Sequence, residues 1–329
     1  MKTFHNVAVC AALMLGLPAC VSVDDANELM RNADNGSAAT QVNSGVRENT
    51  AETIKRCMEA AEQEDAEAQN SLGMRYLKGD GVDKDTAEAA KWLTKAAGQG
   101  HAAAQYNLGL CYANGDGVGK DVVEAVTWYT KAAGQGHAAA QHNLGLCYDN
   151  GDGVGKDAVE AVTWHKKAAA QGYAAAQNSL GAHYLKGDGV GKNPAEAAKW
   201  FAKAAGQGLA DAQYNLGVCH DNGDGIGKNF AEAVKWYRKA AEQGHMDAQY
   251  KLGFCYYNGK GVGKDAEKAF NWVTKAAEQG DAKAQFLIGV CYLNGDGVDK
   301  DAAEAAKWFT KAAEQGDQAS QAILKIMQE

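Results

Sequence analysis

Residues 101–136 read HAAAQYNLGLCYANGDGVGKDVVEAVTWYTKAAGQG, and this stretch decides the fold. In its first half, apolar side chains recur at the i, i+4, i+7 and i+8 spacing of an amphipathic helix, at Ala104, Leu108, Cys111 and Tyr112. Asn114-Gly115-Asp116-Gly117 follows and predicts the end of that helix, since glycine readily adopts positive φ at a helix C-terminus.

The second half of the stretch predicts a second helix. Asp121 is a suitable N-cap, and Glu124 three residues later completes a capping box. We expect its inward stripe to contain three small residues and a tryptophan, namely Ala125, Trp128, Ala132 and Ala133. Gln135-Gly136 predicts its end, so the stretch is one helix-turn-helix unit.

The unit repeats with a constant period. Trp occurs at positions 92, 128, 164, 200, 236, 272 and 308, and each interval is 36 residues. This periodicity predicts seven full repeats over residues 65–316, a half repeat at 45–64 and a C-terminal capping half repeat at 317–329. We therefore expect one all-α repeat domain rather than several unrelated domains.

The N-terminus predicts export. Lys2 precedes an uncharged apolar run, Val7–Leu17, which is too short to span a bilayer. The segment Leu17-Pro18-Ala19-Cys20 resembles the end of a bacterial lipoprotein signal, which implies a signal peptide at 1–19 and acylation of Cys20. Residues 20–44 would then be a flexible tether. Ordinary secretion with cleavage nearby is the alternative.

The sequence is acidic. It has 33 Lys and Arg against 41 Asp and Glu, for a formal net charge of −8. An acidic chain gains no counterion-release energy from phosphates, so we expect no nucleic-acid partner.

The repeat motif itself points to a family. The pattern Ala-x-x-x-Leu-Gly-x-x-Tyr-x-x-Gly-x-Gly-Val, followed by Glu-Ala-x-x-Trp-x-x-Lys-Ala-Ala, resembles the Sel-1-like repeat over residues 45–329. This resemblance implies a right-handed superhelical α/α solenoid related to tetratricopeptide arrays. It also implies an adaptor or scaffold, and many bacterial members are exported.

The cysteines predict neither disulfides nor a metal site. One cysteine per repeat occupies a single column, in which two copies carry Arg75 and His183 instead; the cysteines are Cys111, Cys147, Cys219, Cys255 and Cys291. Equivalent residues of neighbouring repeats should lie about 10 Å apart, too far for a disulfide or for a shared metal ion. We expect buried free thiols. His101, His137 and His245 begin repeats and are expected to face the turns.

Motifs for catalysis are absent from the sequence. None of the six serines has Lys three residues later, and no HExxH occurs. We therefore predict a non-enzyme without a cofactor.

Columns that vary between repeats indicate a working surface. By analogy with tetratricopeptide arrays, the first helix of each repeat lines the concave side. Its outward positions are more aromatic in the C-terminal half, which predicts a partner-binding groove at Tyr214, Tyr250, Phe254, Tyr257 and Phe286. The alternative is that these rings pack against one another along the wall of the solenoid.

Together these features predict a non-catalytic scaffold that binds a protein or peptide. A lipid anchor would hold it in the outer membrane, facing the periplasm or the cell surface; otherwise it would be periplasmic or secreted. The alternatives are an immunity protein against a delivered toxin, a β-lactam or cell-wall hydrolase, and a mechanical spacer of the envelope.

Overall fold

The computed structural model describes residues 52–328, and this range folds into 16 α-helices without a strand. The fold is therefore all-α, as predicted. The helices are α1 (52–62), α2 (Ala66–Lys78), α3 (Thr86–Gly98), α4 (Ala102–Asn114), α5 (Val122–Gly134), α6 (Ala138–Asn150), α7 (Ala158–Ala170), α8 (Ala174–Lys186), α9 (Pro194–Gly206), α10 (Ala210–Asn222), α11 (Phe230–Glu242), α12 (Met246–Asn258), α13 (Ala266–Glu278), α14 (Ala282–Asn294), α15 (Ala302–Glu314) and α16 (Gln318–Gln328).

The described residues form two compact units. One comprises residues 52–107 and 116–118, and the other comprises residues 108–115 and 119–328. The expected signal peptide, Cys20 and the tether lie outside the described residues, as does the beginning of the half repeat at 45–64.

The predicted N-caps of the second helices are confirmed. Asp121 Oδ1 accepts hydrogen bonds from the N–H groups of Val123 and Glu124 at 2.9 and 3.0 Å. Pro194 occupies the first turn of α9, where its missing N–H has no helical partner to lose. The other capping residues of this set are Asp85, Asp157, Asn193, Asn229, Asp265 and Asp301.

The core differs from the predicted stripe at one position. The seven tryptophans are half-buried, and the residue after each one fills the core instead. In α9, for example, Phe201 is buried whereas Trp200 packs on a cluster formed by α7 and α8. A lysine three residues after each Trp places its Nζ 3.5–4.2 Å from the centre of a tryptophan ring. Trp200 thus covers part of the neighbouring repeat and stays partly exposed to water.

A glycine on each first helix explains why the following residue, and not Trp, is buried. A Cβ atom at Gly181 would lie 2.7 Å from the Phe201 ring, and one at Gly145 would lie 2.6 Å from the His165 ring. The first helix therefore leaves a space that only the residue after Trp can enter. The buried residues of this column are Leu93, Tyr129, His165, Phe201, Tyr237, Val273 and Phe309.

Among residues 52–328, no helix combines the length and the apolar character needed to cross a membrane.

Candidate functional site

One apolar column of the second unit reaches the surface on successive first helices. We call it the apolar column; it consists of Leu110, Leu146, Ala182, Val218, Phe254 and Val290. Phe254 is 39% exposed and Leu146 is 38% exposed, whereas most large apolar side chains of the repeats are at least half-buried. The column therefore presents apolar surface at a regular interval along consecutive repeats.

The predicted binding residue Tyr250 lies beside this column. Its ring is half-buried on α12, with its centre 6.1 Å from that of Phe254. Burial raises the pKa of the Tyr250 hydroxyl, and the nearby Asp281 carboxylate adds to the effect. Tyr250 and Phe254 thus form a pair that is accessible in part.

The other three predicted residues have separate surroundings. The Tyr214 ring stacks on His245 at 4.8 Å between centres, and the Phe286 ring lies 5.8 Å from Phe309. Tyr257 is half-buried and donates a hydrogen bond to Asp296 Oδ2 at 3.0 Å. These rings pack partly against the wall of the solenoid, and their role in binding a partner remains a prediction.

A second candidate site is a cluster of three histidines and an aspartate on α6, α7 and α8. His165 Nε2 lies 3.0 Å from Asp149 Oδ2, and His183 Nε2 lies 3.1 Å from Asp149 Oδ1. Behind His165, its Nδ1 lies 3.3 Å from Nδ1 of His142. His183 Nδ1 lies 3.0 Å from the carbonyl oxygen of Asp188. We refer to these four side chains, His142, Asp149, His165 and His183, as the histidine cluster.

The histidine cluster is largely shielded from water. His165 is fully buried, and His142 and His183 are 8% and 7% exposed. Hydrogen bonding to Asp149 raises the pKa of His183 despite its burial. Burial and the neighbouring His165 lower the pKa of His142 to about 4. Partial burial alone would raise the pKa of Asp149, but its hydrogen bonds with His165 and His183 outweigh this and lower it below its usual range.

A pocket of about 290 Å³ opens on the cluster. Asp149 and His183 contribute to its wall, so the carboxylate and one imidazole are reachable from solvent. Its remaining lining residues are Asn150, Lys156, Ser179, Ala182, Lys186 and Asp188.

No single column of the repeat contains this cluster, so possible ligands compared within one column do not reveal it. The four side chains come from four columns, and in three of these a histidine replaces a different residue type. His165 takes the place of the buried Phe201 or Tyr237, and His183 takes the place of a cysteine such as Cys219. The signal that could have found them is that departures in several columns fall on adjacent helices.

Within residues 52–328 the cysteines of the repeat column form no disulfide. Four of them are buried as predicted, whereas Cys147 is only half-buried. Burial raises the pKa of the Cys219 and Cys291 thiols to about 11, as it does for Cys147 and Cys255. The histidines that begin repeats are N-caps: His137 and His245 Nδ1 accept from N–H groups three residues later, at 3.2 Å.

Comparison with known proteins identifies the repeats. The model of the Sel1 repeat matches residues 66–101, 102–137, 138–173, 174–209, 210–245, 247–281 and 282–317. A search of curated proteins gives no significant match.

Two solved structures share both the fold and much of the sequence. One is a protective antigen of uropathogenic Escherichia coli that displays an SLR fold, with 40% identity and a TM-score of 0.76. The alignment covers 82% of this chain and 58% of that one. The other is a Sel1 repeat protein from Oxalobacter formigenes, with 35% identity, a TM-score of 0.69, and coverage of 96% and 92%. The chain described here belongs to the Sel1 repeat family.

Proposed function

We propose that this protein is a non-catalytic scaffold that binds a protein or peptide through the first helices of its C-terminal repeats. Sel1-repeat solenoids are in general protein-binding scaffolds rather than enzymes. The observation that carries the proposal is the exposure of Phe254 beside the half-buried Tyr250. Phe254 belongs to the apolar column, which is apolar in every repeat of the second unit.

The physical reason is that a rigid ring buries much apolar area on binding and loses little conformational entropy. The part of the Phe254 ring that stays exposed to water is apolar area that a partner can bury, so the pair offers an anchor for a partner. Asp221 lies three positions after Val218, the member of the apolar column on α10. Its Oδ1 forms an ion pair with Lys260 Nζ at 2.6 Å, so charged groups lie beside the apolar column.

Cross-linked capture from envelope preparations of the source bacterium, followed by mass spectrometry, tests the proposal. Phe254→Ala is expected to weaken capture of the partner by about 2 kcal/mol, the size expected of an aromatic hot spot. Val159→Ala is the matched control, since Val159 is 61% exposed on a second helix, and it should leave capture unchanged.

A stability control separates a binding role from a packing role. Phe201→Ala removes a fully buried ring and should cost about 3–5 kcal/mol of unfolding free energy. Phe254→Ala should cost far less. If Phe254→Ala lowers stability as much as Phe201→Ala, or leaves capture at the wild-type level, the binding surface is misplaced.

We also propose that Cys20 carries a lipid anchor that holds the scaffold in the outer membrane. The support is Leu17-Pro18-Ala19-Cys20 after an apolar run of 11 residues. Two or three acyl chains on one residue provide a stable anchor. Cys20→Ala should abolish membrane retention; a variant that still sediments with membranes and partitions into detergent would refute the anchor.

A further inference from the structure

The histidine cluster offers three ligand atoms to one point. One ring nitrogen each of His165 and His183 and one carboxylate oxygen of Asp149 all lie within 4.8 Å of one another. In a tetrahedral zinc site with bonds of about 2.0–2.1 Å, neighbouring ligand atoms are separated by roughly 3.3 Å. The distances from Asp149 Oδ2 to Nε2 of His165 and to Nε2 of His183, 3.0 and 3.2 Å, are close to that value. We propose that Asp149, His165 and His183 bind a divalent transition-metal ion, with Zn²⁺ as the best match to this ligand set.

The second ring nitrogen of each histidine supports this assignment. The ring of His183 can donate its Nδ1–H to the backbone carbonyl of Asp188. In that tautomer Nε2, which lies 3.2 Å from Asp149 Oδ2, carries a lone pair that an ion between the two groups would accept. Metal-binding histidines commonly donate their second N–H in this way, because it fixes the tautomer and the ring orientation. His165 has the same opportunity, since its Nδ1 faces Nδ1 of His142.

The burial of His165 is a further argument. It occupies the position of Phe201 and Tyr237, so an imidazole replaces a hydrocarbon ring in the core. A buried polar ring must keep its hydrogen-bonding groups satisfied, and only the repeat with His165 also supplies His142 and Asp149 on the preceding helix. The unusual residues His142, Asp149 and His165 can thus satisfy one another's hydrogen-bonding groups.

The pocket determines what else would bind the ion. Three protein ligands leave a tetrahedral ion with one open position, as in zinc sites that hold a water molecule. Asp149 and His183 line the pocket, so a fourth ligand would enter from it, and Lys156 and Lys186 in the same lining would favour an anionic oxygen.

The equivalent position two repeats later provides a matched control. Asp221 occupies the column of Asp149, but its neighbours are the Tyr237 hydroxyl at 3.4 Å and the Lys260 ammonium at 2.6 Å. These groups do not make a zinc site, because an ammonium has no lone pair to donate and repels a cation. Asp221→Asn therefore changes the same kind of carboxylate in the same kind of helix without touching the proposed ligands.

Calorimetric titration of the full chain with Zn²⁺, without an affinity tag and after treatment with a chelator, tests the proposal. We expect one Zn²⁺ per chain in the wild type and in Asp221→Asn. Asp149→Asn and His183→Gln should each weaken binding more than about 100-fold, since even residues behind the ligands change affinity by about 10–100-fold. His142→Gln should fall within that smaller range.

Two further measurements make the outcome decisive. Circular dichroism verifies that each variant is folded. Asp149 and His183 are the residues substituted because their side chains are nearer the surface than that of His165. The absorption spectrum of the Co²⁺-loaded protein should be that of a tetrahedral ion and should disappear in His183→Gln. Lack of stoichiometric Zn²⁺ binding by the wild type, or equal binding by folded Asp149→Asn and Asp221→Asn, would overturn the proposal.

Discussion

At the scale of single residues, burial controls the chemistry of the thiols. Cys219 is fully buried and Cys291 is 1% exposed, and the charged thiolate would lose its hydration there. The pKa of about 11 follows from this burial, with a smaller contribution from a nearby aspartate in each case. Because the thiolate is the nucleophile, a raised pKa also means low reactivity.

We predict that the buried thiols are protected from alkylation while the protein is folded. With a pKa of about 11 instead of the ordinary 9.0, the thiolate fraction at pH 8 falls about 100-fold for the buried Cys219, Cys255 and Cys291 and for the half-buried Cys147. Timed reaction with a thiol reagent, read by mass spectrometry with and without urea, gives the ratio of rates for each residue. A rate for Cys219 in the folded protein equal to its rate in urea would contradict the prediction.

At the scale of the helix, the local sequence predicts where a helix begins and ends better than it predicts which side chains enter the core. Asp121 and Asn193 cap their helices where the Asp/Asn-x-x-Glu spacing predicts, because capping depends on neighbouring residues alone. The choice between Trp200 and Phe201 for the core was predicted wrongly. Adjacent positions both fall within a broad apolar stripe, and the glycine of another helix decides which one enters.

The glycine contact leads to a prediction on two residues of the same repeat. Gly181→Ala forces a methyl group to 2.7 Å from the Phe201 ring and should lower the unfolding free energy by about 1–3 kcal/mol. Gly206 is the last residue of α9 and has no atom within 4 Å of an added Cβ. Gly206→Ala should therefore stabilise by about 0.4–1 kcal/mol, since it restricts the unfolded chain.

Urea unfolding of both variants measures the two effects. The explanation of the core fails if Gly181→Ala unfolds at the wild-type urea concentration, or if Gly206→Ala loses as much stability as Gly181→Ala.

At the scale of the whole molecule, one repeated unit carries two proposed sites of different chemistry. The helix-turn-helix architecture is predictable because the same local pattern recurs every 36 residues. The histidine cluster is not, since Asp149 and His183 are 34 positions apart and meet only through packing of consecutive helices. The apolar column is predictable in part. Its positions follow from the repeat, whereas the exposure of Phe254 depends on the packing around it.

Deletion of whole repeats from the second unit should separate the two proposed sites. Removing residues 246–281 joins His245 to Ala282, so Ala284, Ile288 and Cys291 take the places of Ala248, Leu252 and Cys255. We expect neighbouring repeats to be interchangeable in this way, because each packs mainly on those beside it. The same reasoning applies to removal of residues 138–173, which carry three members of the histidine cluster.

Both deletions should leave a helical protein that unfolds cooperatively, and each should remove one binding property. Loss of residues 246–281 removes Tyr250 and Phe254, so capture of the partner should fail while Zn²⁺ binding persists. Loss of residues 138–173 should abolish Zn²⁺ binding, because a single repeat supplies Asp149 and His165. Circular dichroism, calorimetry and cross-linked capture give the three readouts.

Deleting only 246–263 is the control: it removes a first helix without its partner, leaves two second helices in succession and should abolish cooperative unfolding. If the 246–281 deletion behaves like this control, the repeats are not interchangeable, and if it loses Zn²⁺ while folded, the ion binds elsewhere than between α6, α7 and α8.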